Sequence, residues 1–368
     1  MEHRSFLGAS PSLLGYGCMR FPVKDDHIDV PAAETLVDRA YKNGVNYFDT
    51  AYRYHGGESE TFIGEALSKY PRDSFYLATK LPNWMLEKPE DIARIFEDQL
   101  ARCRVDYFDF YLIHALSKTS WDRMEALGVY DKLMEYKKVG KIRRLGFSFH
   151  DKPEVLEEIC SAHPFDFAQI QCNYFDWEYQ DAKTQYEILE KHNMGCIIME
   201  PVRGGLLAKL NPEACAVLKE AEPERSAASW AIRFAASLPN VITVLSGMSD
   251  EAQVDDNLAT MNDFRPLSVE ERAVLDRALA IFREKKVIPC TKCRYCVEQC
   301  PMSIQIPEVI AAMNELALNH DREGFKKFVA ELEVKPSACV SCGACEAICP
   351  QHIEIPEKVM AEAAKSEE

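Results

Sequence analysis

Eight of the fourteen cysteines lie in two matching runs near the C-terminal end of the chain. Each run reads C-x-x-C-x-x-C-x-x-x-C-P, and the members are Cys290, Cys293, Cys296 and Cys300, followed by Cys339, Cys342, Cys345 and Cys349. This spacing is typical of bacterial iron–sulfur proteins, in which three thiolates hold one cubane and the fourth usually holds the neighbouring one. Two zinc sites are the other interpretation, but zinc does not explain the third cysteine or the trailing proline. We therefore predict two 4Fe–4S clusters.

The stretch between the two cysteine runs, residues 301–338, has the pattern of two helices. Its apolar residues recur at helical steps in two groups, at 309–316 and 325–332. Two helices between the runs are typical of an α-helical dicluster ferredoxin-like domain, which we place at residues 284–368.

Ahead of the cysteines, short apolar runs alternate eight times with helical patterns. The runs are apolar on both faces, as strands of a buried parallel sheet are, and they lie at 13–19, 45–51, 75–81, 107–115, 143–149, 165–175, 195–201 and 241–247. The helical patterns lie at 31–43, 58–69, 89–104, 121–139, 153–162, 182–192, 226–236 and 250–261, with a last one at 269–286.

Eight strand–helix units predict an α/β fold, a (β/α)8 TIM barrel that occupies residues 1–283. A doubly wound open sheet is the alternative. It is weakened because no G-x-G-x-x-G follows the first strand.

Four polar residues at or just beyond successive strand ends form a candidate site, because barrel chemistry lies at the carboxyl ends of the strands. They are Asp49, Tyr54, Lys80 and His114. Taken singly, each has a plainer reading as a helix cap, a loop aromatic, a solvated strand end or a core histidine. Together they predict a carbonyl-reducing site in which Tyr54 is the proton donor. An ammonium held by a carboxylate would lower the pKa of the phenol, and an imidazole would orient the carbonyl.

Charge, hydropathy and the remaining cysteines limit the partners of the protein. The net charge is −16 with no basic patch, which argues against nucleic acids and anionic membrane surfaces. The sequence has no 18-residue apolar run and no signal-like N-terminal segment. Six further cysteines in apolar or helical contexts are expected to be reduced and to fill the core. These features together predict a cytoplasmic protein.

Further motifs extend across the whole chain. They are D-T-A-x-x-Y at 49–54, T-K at 79–80, L-I-H at 112–114, GFSFHD at 146–151, QIQCNY at 169–174, MEPVRGG at 199–205 and VLSGMSDEAQVDDN at 244–257. With these motifs the sequence resembles the aldo-keto reductases, and within them the branch that has a C-terminal 4Fe–4S dicluster domain. The resemblance implies a small carbonyl or alcohol substrate and hydride transfer from a nicotinamide cofactor.

The resemblance also implies nucleotide contacts. Ser148 and Gln169 would hold the nicotinamide carboxamide, the surroundings of Asp49 and residues 18–20 with Arg20 would face its ribose, and Asn257 would lie by the adenine. On the residues alone, strand-end hydrogen bonding is the preferred interpretation of Ser148 and Gln169. Trp84 and the loop at 203–205 are candidates for shaping a substrate pocket, with simple packing as the other reading.

Two departures from the family pattern concern the nucleotide. Residues 246–257 contain no Lys or Arg to hold a 2′-phosphate, and Gly247 and Gln253 occupy the positions where such cations usually stand. The same segment has four carboxylates, and Met199 and Phe149 replace an aromatic and an Asn that usually contact nicotinamide. We therefore expect no preference for NADPH, so NAD(H) is the favoured nucleotide if one binds, and weak binding of nicotinamide stays open as well. It also stays open whether nicotinamide binds at all. A flavin is not excluded either, because nicotinamide transfers two electrons as hydride, a cubane transfers one at a time, and a flavin ordinarily mediates between them.

Two function hypotheses follow. In the first, the protein is an oxidoreductase that reduces a carbonyl or oxidises an alcohol, with electrons from nicotinamide, ferredoxin or another redox protein passing through the clusters. In the second, it is an electron-transfer adaptor whose barrel is a docking scaffold. A lysine-tuned tyrosine favours the first hypothesis. A third version keeps the enzyme and makes the clusters structural.

Overall fold

The structure, a computed structural model, describes residues 1–367 of the 368-residue chain. These residues divide into two compact units. The first consists of Met1–Pro201 and Ile232–Leu267, and the second of Val202–Ala231 and Ser268 onward. The predicted domain boundary between residues 283 and 284 is a division along the sequence, and it stays a prediction.

Eight parallel strands close into a barrel within the first unit, which confirms the predicted fold class. The strands are β1 Leu14–Gly17, β2 Val23–Lys24, β3 His27–Ile28, β4 Tyr47–Asp49, β5 Tyr76–Leu81, β6 Phe108–Leu116, β7 Ile142–Phe149, β8 Phe167–Gln171, β9 Gly195–Met199 and β10 Val241–Ser246. The barrel consists of β1 and β4 to β10, each paired with the next, and β10 closes it against β1 through Leu14 and Val244. Strands β2 and β3 form a separate antiparallel hairpin that the sequence patterns did not predict.

The barrel strands are buried on both faces, as their continuous apolar runs predict. One cluster of inward residues includes Tyr47, Phe110, Phe167 and Ile197. Phe6, from a turn near the N-terminus, stacks on Phe110 with ring centroids 6.4 Å apart. This rigid interior fixes the positions of the strand ends that carry the candidate site.

Helices follow the barrel strands at nearly all the predicted positions. They are α1 Val30–Lys42, α2 Glu58–Leu67, α3 Glu90–Arg102, α4 Lys118–Ala126, α5 Val129–Lys138, α6 Pro153–Ala162, α7 Asp176–Tyr179, α8 Ala182–Lys191, α9 Pro212–Ala221, α10 Ala227–Ala236, α11 Glu251–Asn262 and α12 Val269–Arg283. The single helix predicted at 121–139 is instead two, because Gly128 takes a left-handed φ of 63° between them. Helix α9 was not predicted, although Pro212 at its first turn is a start signal.

The C-terminal part of the second unit is helical, with two helices between the cysteine runs as predicted. Its elements are α13 Tyr295–Glu298, α14 Ile306–Asn319, α15 Arg322–Glu331, α16 Ala344–Ala347, a π-helical turn at Ile355–Met360 and α17 Ala361–Ala364. Ile304, Ile306, Ile353 and Ile355 belong to its apolar core, beside the cysteines. Within residues 1–367, no helix is both long enough and apolar enough to cross a membrane.

Candidate functional site

Asp49, Tyr54, Lys80 and His114 lie together at one end of the barrel. Asp49 is the last residue of β4, Lys80 lies near the end of β5, and His114 lies near the end of β6. The parallel register aligns Asp49 with Ala78 and Lys80 with Leu112, which brings the strand ends to the same edge. Tyr54 follows β4 by five residues, and all four residues are buried.

The ammonium of Lys80 links the site. Its Nζ donates hydrogen bonds to Asp49 Oδ1 at 2.6 Å and to the Thr50 carbonyl oxygen at 2.8 Å. The same Nζ lies 3.2 Å from the hydroxyl of Tyr54. The His114 ring stands edge-on to the Tyr54 ring, with centroids 6.1 Å apart. The buried Lys80–Asp49 ion pair therefore holds the Lys80 ammonium, a hydrogen-bond donor, next to the phenol oxygen of Tyr54.

The pKa values of the site show that burial dominates its electrostatics. Burial raises the pKa of Tyr54 well above its usual value, and the charge of Asp49 raises it further. This direction is opposite to the lowering expected from the Lys80 ammonium, because desolvation penalises the phenolate more than the cation favours it. Burial also lowers the pKa of His114 well below its usual value, and Lys80 adds to that shift. At neutral pH the site therefore presents a protonated phenol and a neutral imidazole.

Residues of the loop after β5 surround His114. The side-chain amide of Asn83 donates to the backbone carbonyl of His114, and the Trp84 ring lies 5.1 Å from the His114 ring. The Arg53 guanidinium covers the Trp84 ring at 5.1 Å. Trp84 thus stands beside the imidazole, where a pocket-shaping residue was expected.

A second polar layer, which the sequence reasoning missed, lies behind Lys80. Glu60 on α2 is fully buried and accepts hydrogen bonds from Thr79 Oγ1 and Gln99 Nε2, both at 2.6 Å. Gln99 Nε2 also donates to the backbone carbonyl of Lys80 at 2.9 Å. Burial raises the pKa of Glu60 to about 7. A signal was present in the sequence, because Glu60 shares the apolar face of α2 with Ile63 and Leu67.

Ser148 and Gln169 face each other in register across β7 and β8. Both are buried, and Ser148 Oγ accepts a hydrogen bond from the Ala115 amide at 2.7 Å. Gln169 Nε2 lies 3.6 Å from the sulfur of Met199, while the buried Oε1 has no hydrogen-bond partner within the described residues. An unsatisfied buried acceptor is costly unless a ligand donates to it. This pair therefore fits the carboxamide of a nicotinamide.

Arg20 and Asn257 have different surroundings. Arg20 Nη2 donates to Glu200 Oε1 at 2.7 Å. Its aliphatic stem lies on Gly247, where an added Cβ would be 2.9 Å from Arg20 Cδ. Asn257 is buried on α11 and gives its side-chain amide to Ser246 Oγ at 2.6 Å. Arg20 thus lies between the ends of β9 and β10, whereas Asn257 supports the β10 end.

The carboxylates after β10 are engaged within the protein. Arg39 on α1 contacts Glu251 at 2.6 Å and Asp255 at 2.6 and 2.7 Å. Asp250 caps α11 by accepting from the Gln253 amide at 2.8 Å. Arg39 is therefore a neighbouring cation, but two carboxylates already hold its guanidinium.

The eight clustered cysteines line two cavities in the second unit, and each cavity takes three thiols from one run and one from the other. We call them cage I, lined by Cys290, Cys293, Cys296 and Cys349, and cage II, lined by Cys339, Cys342, Cys345 and Cys300. The fourth cysteine of each run thus joins the opposite cage. This is the exchange that the C-x-x-C-x-x-C-x-x-x-C-P spacing predicts.

The backbone of the two runs repeats the same unusual conformation. The second residue after the first cysteine is left-handed in both runs, with φ 55° at Lys292 and 52° at Ser341. The residue after the second cysteine is also left-handed, with φ 65° at Arg294 and 75° at Gly343. A non-glycine residue in this region costs about 1–3 kcal/mol and persists only where its surroundings impose it. The repeat is consistent with two chain segments that each wrap one cluster.

The cage thiols fit a cubane better than a single ion. Burial raises the pKa of Cys290 to about 12, so a metal must supply the charge that keeps such a thiolate ionised. The Lys292 amide donates to Cys290 Sγ at 3.3 Å, a contact that stabilises a thiolate. Among residues 1–367, no three His, Cys, Asp or Glu side chains converge on a site for one ion. Each cage is instead lined by four cysteines, one for each iron of a cubane.

Anaerobically purified protein is expected to contain close to eight irons and eight acid-labile sulfides per chain, because each cage offers one thiolate to each of four irons. Iron and sulfide assays measure both. Cys345→Ser should lose about half of each, whereas Cys215→Ser, a thiol in the same unit outside both cages, should lose neither. Stoichiometric zinc with little iron would contradict the cluster assignment.

Comparisons with known proteins match both the barrel part and the cysteine-rich part of the chain. The aldo/keto reductase family profile matches residues 13–280, and the 4Fe-4S dicluster domain profile matches residues 289–354. Probable aldo-keto reductase 1 of Glycine max is 30% identical over 173 residues, or 45% of this chain and 49% of that protein. The chain thus spans about half the length of this relative.

Two further relatives are matched over more of their length. The NADH-specific methylglyoxal reductase of Escherichia coli is 26% identical over 272 residues, which are 62% of this chain and 82% of that protein. The solved structure of aldo-keto reductase AKR11C1 from Bacillus halodurans, in its holo form, covers 76% of this chain and 96% of its own. Its TM-score is 0.64 at 26% identity. The chain therefore belongs to the aldo/keto reductase family, and it is an oxidoreductase that carries a C-terminal 4Fe-4S dicluster domain.

Proposed function

We propose that this protein reduces the carbonyl group of a small molecule to an alcohol at the Tyr54 site, or catalyses the reverse oxidation. The observation that carries this proposal is the buried contact of one ammonium with both a carboxylate and a phenol, Lys80 Nζ to Asp49 and to Tyr54. Such a contact orients the phenol oxygen and leaves its proton available to a substrate. A scaffold that only docks partners has no use for it.

Reduction needs a proton at the carbonyl oxygen. The Tyr54 hydroxyl is that donor, because burial keeps it protonated at neutral pH. As the alkoxide forms, the proton moves from Tyr54 to the substrate oxygen, and the adjacent Lys80 ammonium stabilises the phenolate left behind. Asp49 holds Lys80 in place, so the stabilising charge is fixed before the reaction begins.

His114 orients the substrate in this scheme. Its neutral imidazole can donate a hydrogen bond to the carbonyl oxygen without competing with Tyr54 as an acid. Its Nδ1 is buried without a hydrogen-bond partner within residues 1–367. Trp84 beside the ring excludes water from one side of the imidazole. The oxygen is thereby held between the imidazole and the phenol.

Nicotinamide would supply the hydride to the carbonyl carbon, and the clusters would exchange single electrons with ferredoxin or another redox protein. Ser148 and Gln169 would hold the carboxamide, and Arg20 would lie beside the ribose. The unsatisfied Oε1 of Gln169 supports this placement.

NADH is expected to bind at least as tightly as NADPH. Residues 246–257 offer no cation to a 2′-phosphate, and Arg39 is held by Glu251 and Asp255. Each missing charge-assisted bond typically forfeits about 1.5–3 kcal/mol. Calorimetric titration with both nucleotides measures the difference. A clear preference for NADPH would contradict the prediction and would indicate that a cation such as Arg20 leaves Glu200 for the phosphate.

Turnover assays test the proposed function. Anaerobically purified protein is mixed with NADH, NADPH or reduced ferredoxin and with a panel of small aldehydes and ketones. Methylglyoxal comes first, because the Escherichia coli relative is named for it. Alcohol formation with at least one donor and one carbonyl is expected. If no carbonyl or alcohol reacts while the clusters still pass electrons between carriers, the protein is an electron-transfer adaptor instead.

A further inference from the structure

A loop of the second unit reaches cage I with a buried arginine. Arg203 is fully buried, and its Nη1 donates to Gln351 Oε1 at 2.9 Å. Gln351 lines cage I and follows its ligand Cys349 by two residues. The guanidinium is therefore separated from the cage by one side chain that forms part of the cage wall.

The next residue of the loop fixes this approach. Gly204 has a left-handed φ of 62°, and an added Cβ would lie 2.2 Å from the Thr291 carbonyl oxygen. Thr291 lines cage I directly after Cys290. The loop thus packs against the cage I wall at Thr291 and bonds to it at Gln351. Only glycine permits the close approach at 204.

None of the described residues that line cage II is charged. Beyond its cysteines, the lining of cage II consists of apolar side chains and Gly343. The lining of cage I includes one arginine, Arg294, whose side chain is 51% exposed. Solvent screens the charge of such an exposed group. Arg203 lies behind the cage wall and is fully buried, so water does not screen its charge in this way.

We propose that Arg203 raises the reduction potential of the cluster held in cage I and leaves that of cage II nearly unchanged. One-electron reduction adds one negative charge to a cluster that already has four thiolate ligands. A guanidinium stays protonated throughout, and in a buried setting its field favours the more negative, reduced form. Arg203 acts on the cluster through its charge, because its guanidinium contacts the cage wall at Gln351.

Potentiometric titration followed by low-temperature electron paramagnetic resonance tests the proposal. In Arg203→Gln, the equilibrium constant for one-electron reduction of the cage I cluster should fall at least tenfold, which lowers its midpoint potential by about 59 mV. The equilibrium constant of the cage II cluster should change less than about twofold. Arg203→Lys keeps the charge, so the reduction equilibrium constant of the cage I cluster should stay within about threefold of that of the natural protein. Gln351→Glu places a carboxylate against the same guanidinium and should lower the same midpoint.

The matched control is Arg294→Gln, which removes the exposed arginine of the same cage. It should change the reduction equilibrium constant of the cage I cluster by less than about threefold. Equal shifts in both clusters, equal effects of Arg203→Gln and Arg294→Gln, or no shift with eight irons retained would each overturn the proposal. If Arg203→Gln loses iron, Gln351→Glu decides in its place. The midpoints do not depend on carbonyl turnover, so this result and that of the proposed function are separable.

Discussion

Tyr54→Phe is expected to reduce turnover on every carbonyl substrate by about 10²–10⁴-fold, the usual effect of losing one acid–base group. The hydroxyl is the proton donor that Lys80 contacts at 3.2 Å, and phenylalanine keeps the ring against His114 while it removes the proton. Steady-state rates measured under anaerobic conditions give the effect. Iron content and the cluster spectrum should be unchanged, because Tyr54 belongs to the barrel unit and no cage includes it.

Tyr52→Phe is the matched control for this variant. Tyr52 lies two residues earlier in the same loop, and its hydroxyl accepts a hydrogen bond from Arg102 at 3.0 Å, away from the Asp49–Lys80 pair. Removing the Tyr52 hydroxyl should change turnover less than about threefold, since this part-buried hydrogen bond does not involve the proton donor. Equal activity of Tyr54→Phe and the natural protein would move the proton donor elsewhere.

Lys80→Met should remove activity and also destabilise the barrel by about 3–5 kcal/mol, because it leaves the Asp49 carboxylate buried without its cation. Both side chains are nearly inaccessible, with 1% of the Lys80 side chain and 4% of the Asp49 side chain exposed. For a domain of this size the loss corresponds to a fall in apparent melting temperature on the order of 10 °C. Thermal unfolding followed by tryptophan fluorescence under anaerobic conditions measures it.

The pH dependence of the stability of Lys80→Met distinguishes the effect of an unpaired Asp49 carboxylate from a general loss of packing. Burial already raises the pKa of Asp49, and loss of Lys80 removes the main opposing effect. The folded variant then binds a proton that the unfolded chain releases, so its stability should fall as the pH rises above the unfolded pKa of about 4. Unfolding at pH 5 and pH 8 tests this sign. Asp49→Asn combined with Lys80→Met should recover stability without activity, and a double variant as unstable as Lys80→Met would contradict the ion-pair explanation.

Residue type and spacing were sufficient to predict the barrel, the two helices between the cysteine runs, and which side chains lie together at the strand ends and in the two cages. Strands buried on both faces leave an apolar run that is visible in sequence, and cage cysteines lie within a few residues of one another. Asp49, Lys80 and His114 could be found because each lies near the end of a recognisable strand. Local patterns of this kind survive in a linear chain.

The parts that could not be predicted depend on contacts between distant segments. Glu60 and Gln99 support Lys80 from two different helices, and Arg203 meets Gln351 across 148 positions of the chain. The raised pKa of Tyr54 results from burial, which no spacing reveals, so its net direction is opposite to the lowering expected from a nearby ammonium. The loop at 203–205 was a candidate either for shaping a substrate pocket or for simple packing, and its residues Arg203 and Gly204 contact the wall of cage I. A role at a substrate pocket stays a prediction.

A single-turnover experiment tests the central claim most directly, that carbonyl reduction at Tyr54 is the reaction of this protein. Protein reduced anaerobically with NADH or reduced ferredoxin is freed of excess donor and mixed rapidly with a carbonyl from the turnover panel. Nucleotide and cluster absorption are recorded together. The expected result is carbonyl-dependent reoxidation of the reduced protein, with one alcohol formed for every two electrons removed, and loss of that phase in Tyr54→Phe with intact clusters. An equal rate in Tyr54→Phe, or stored electrons that no carbonyl removes, would contradict it.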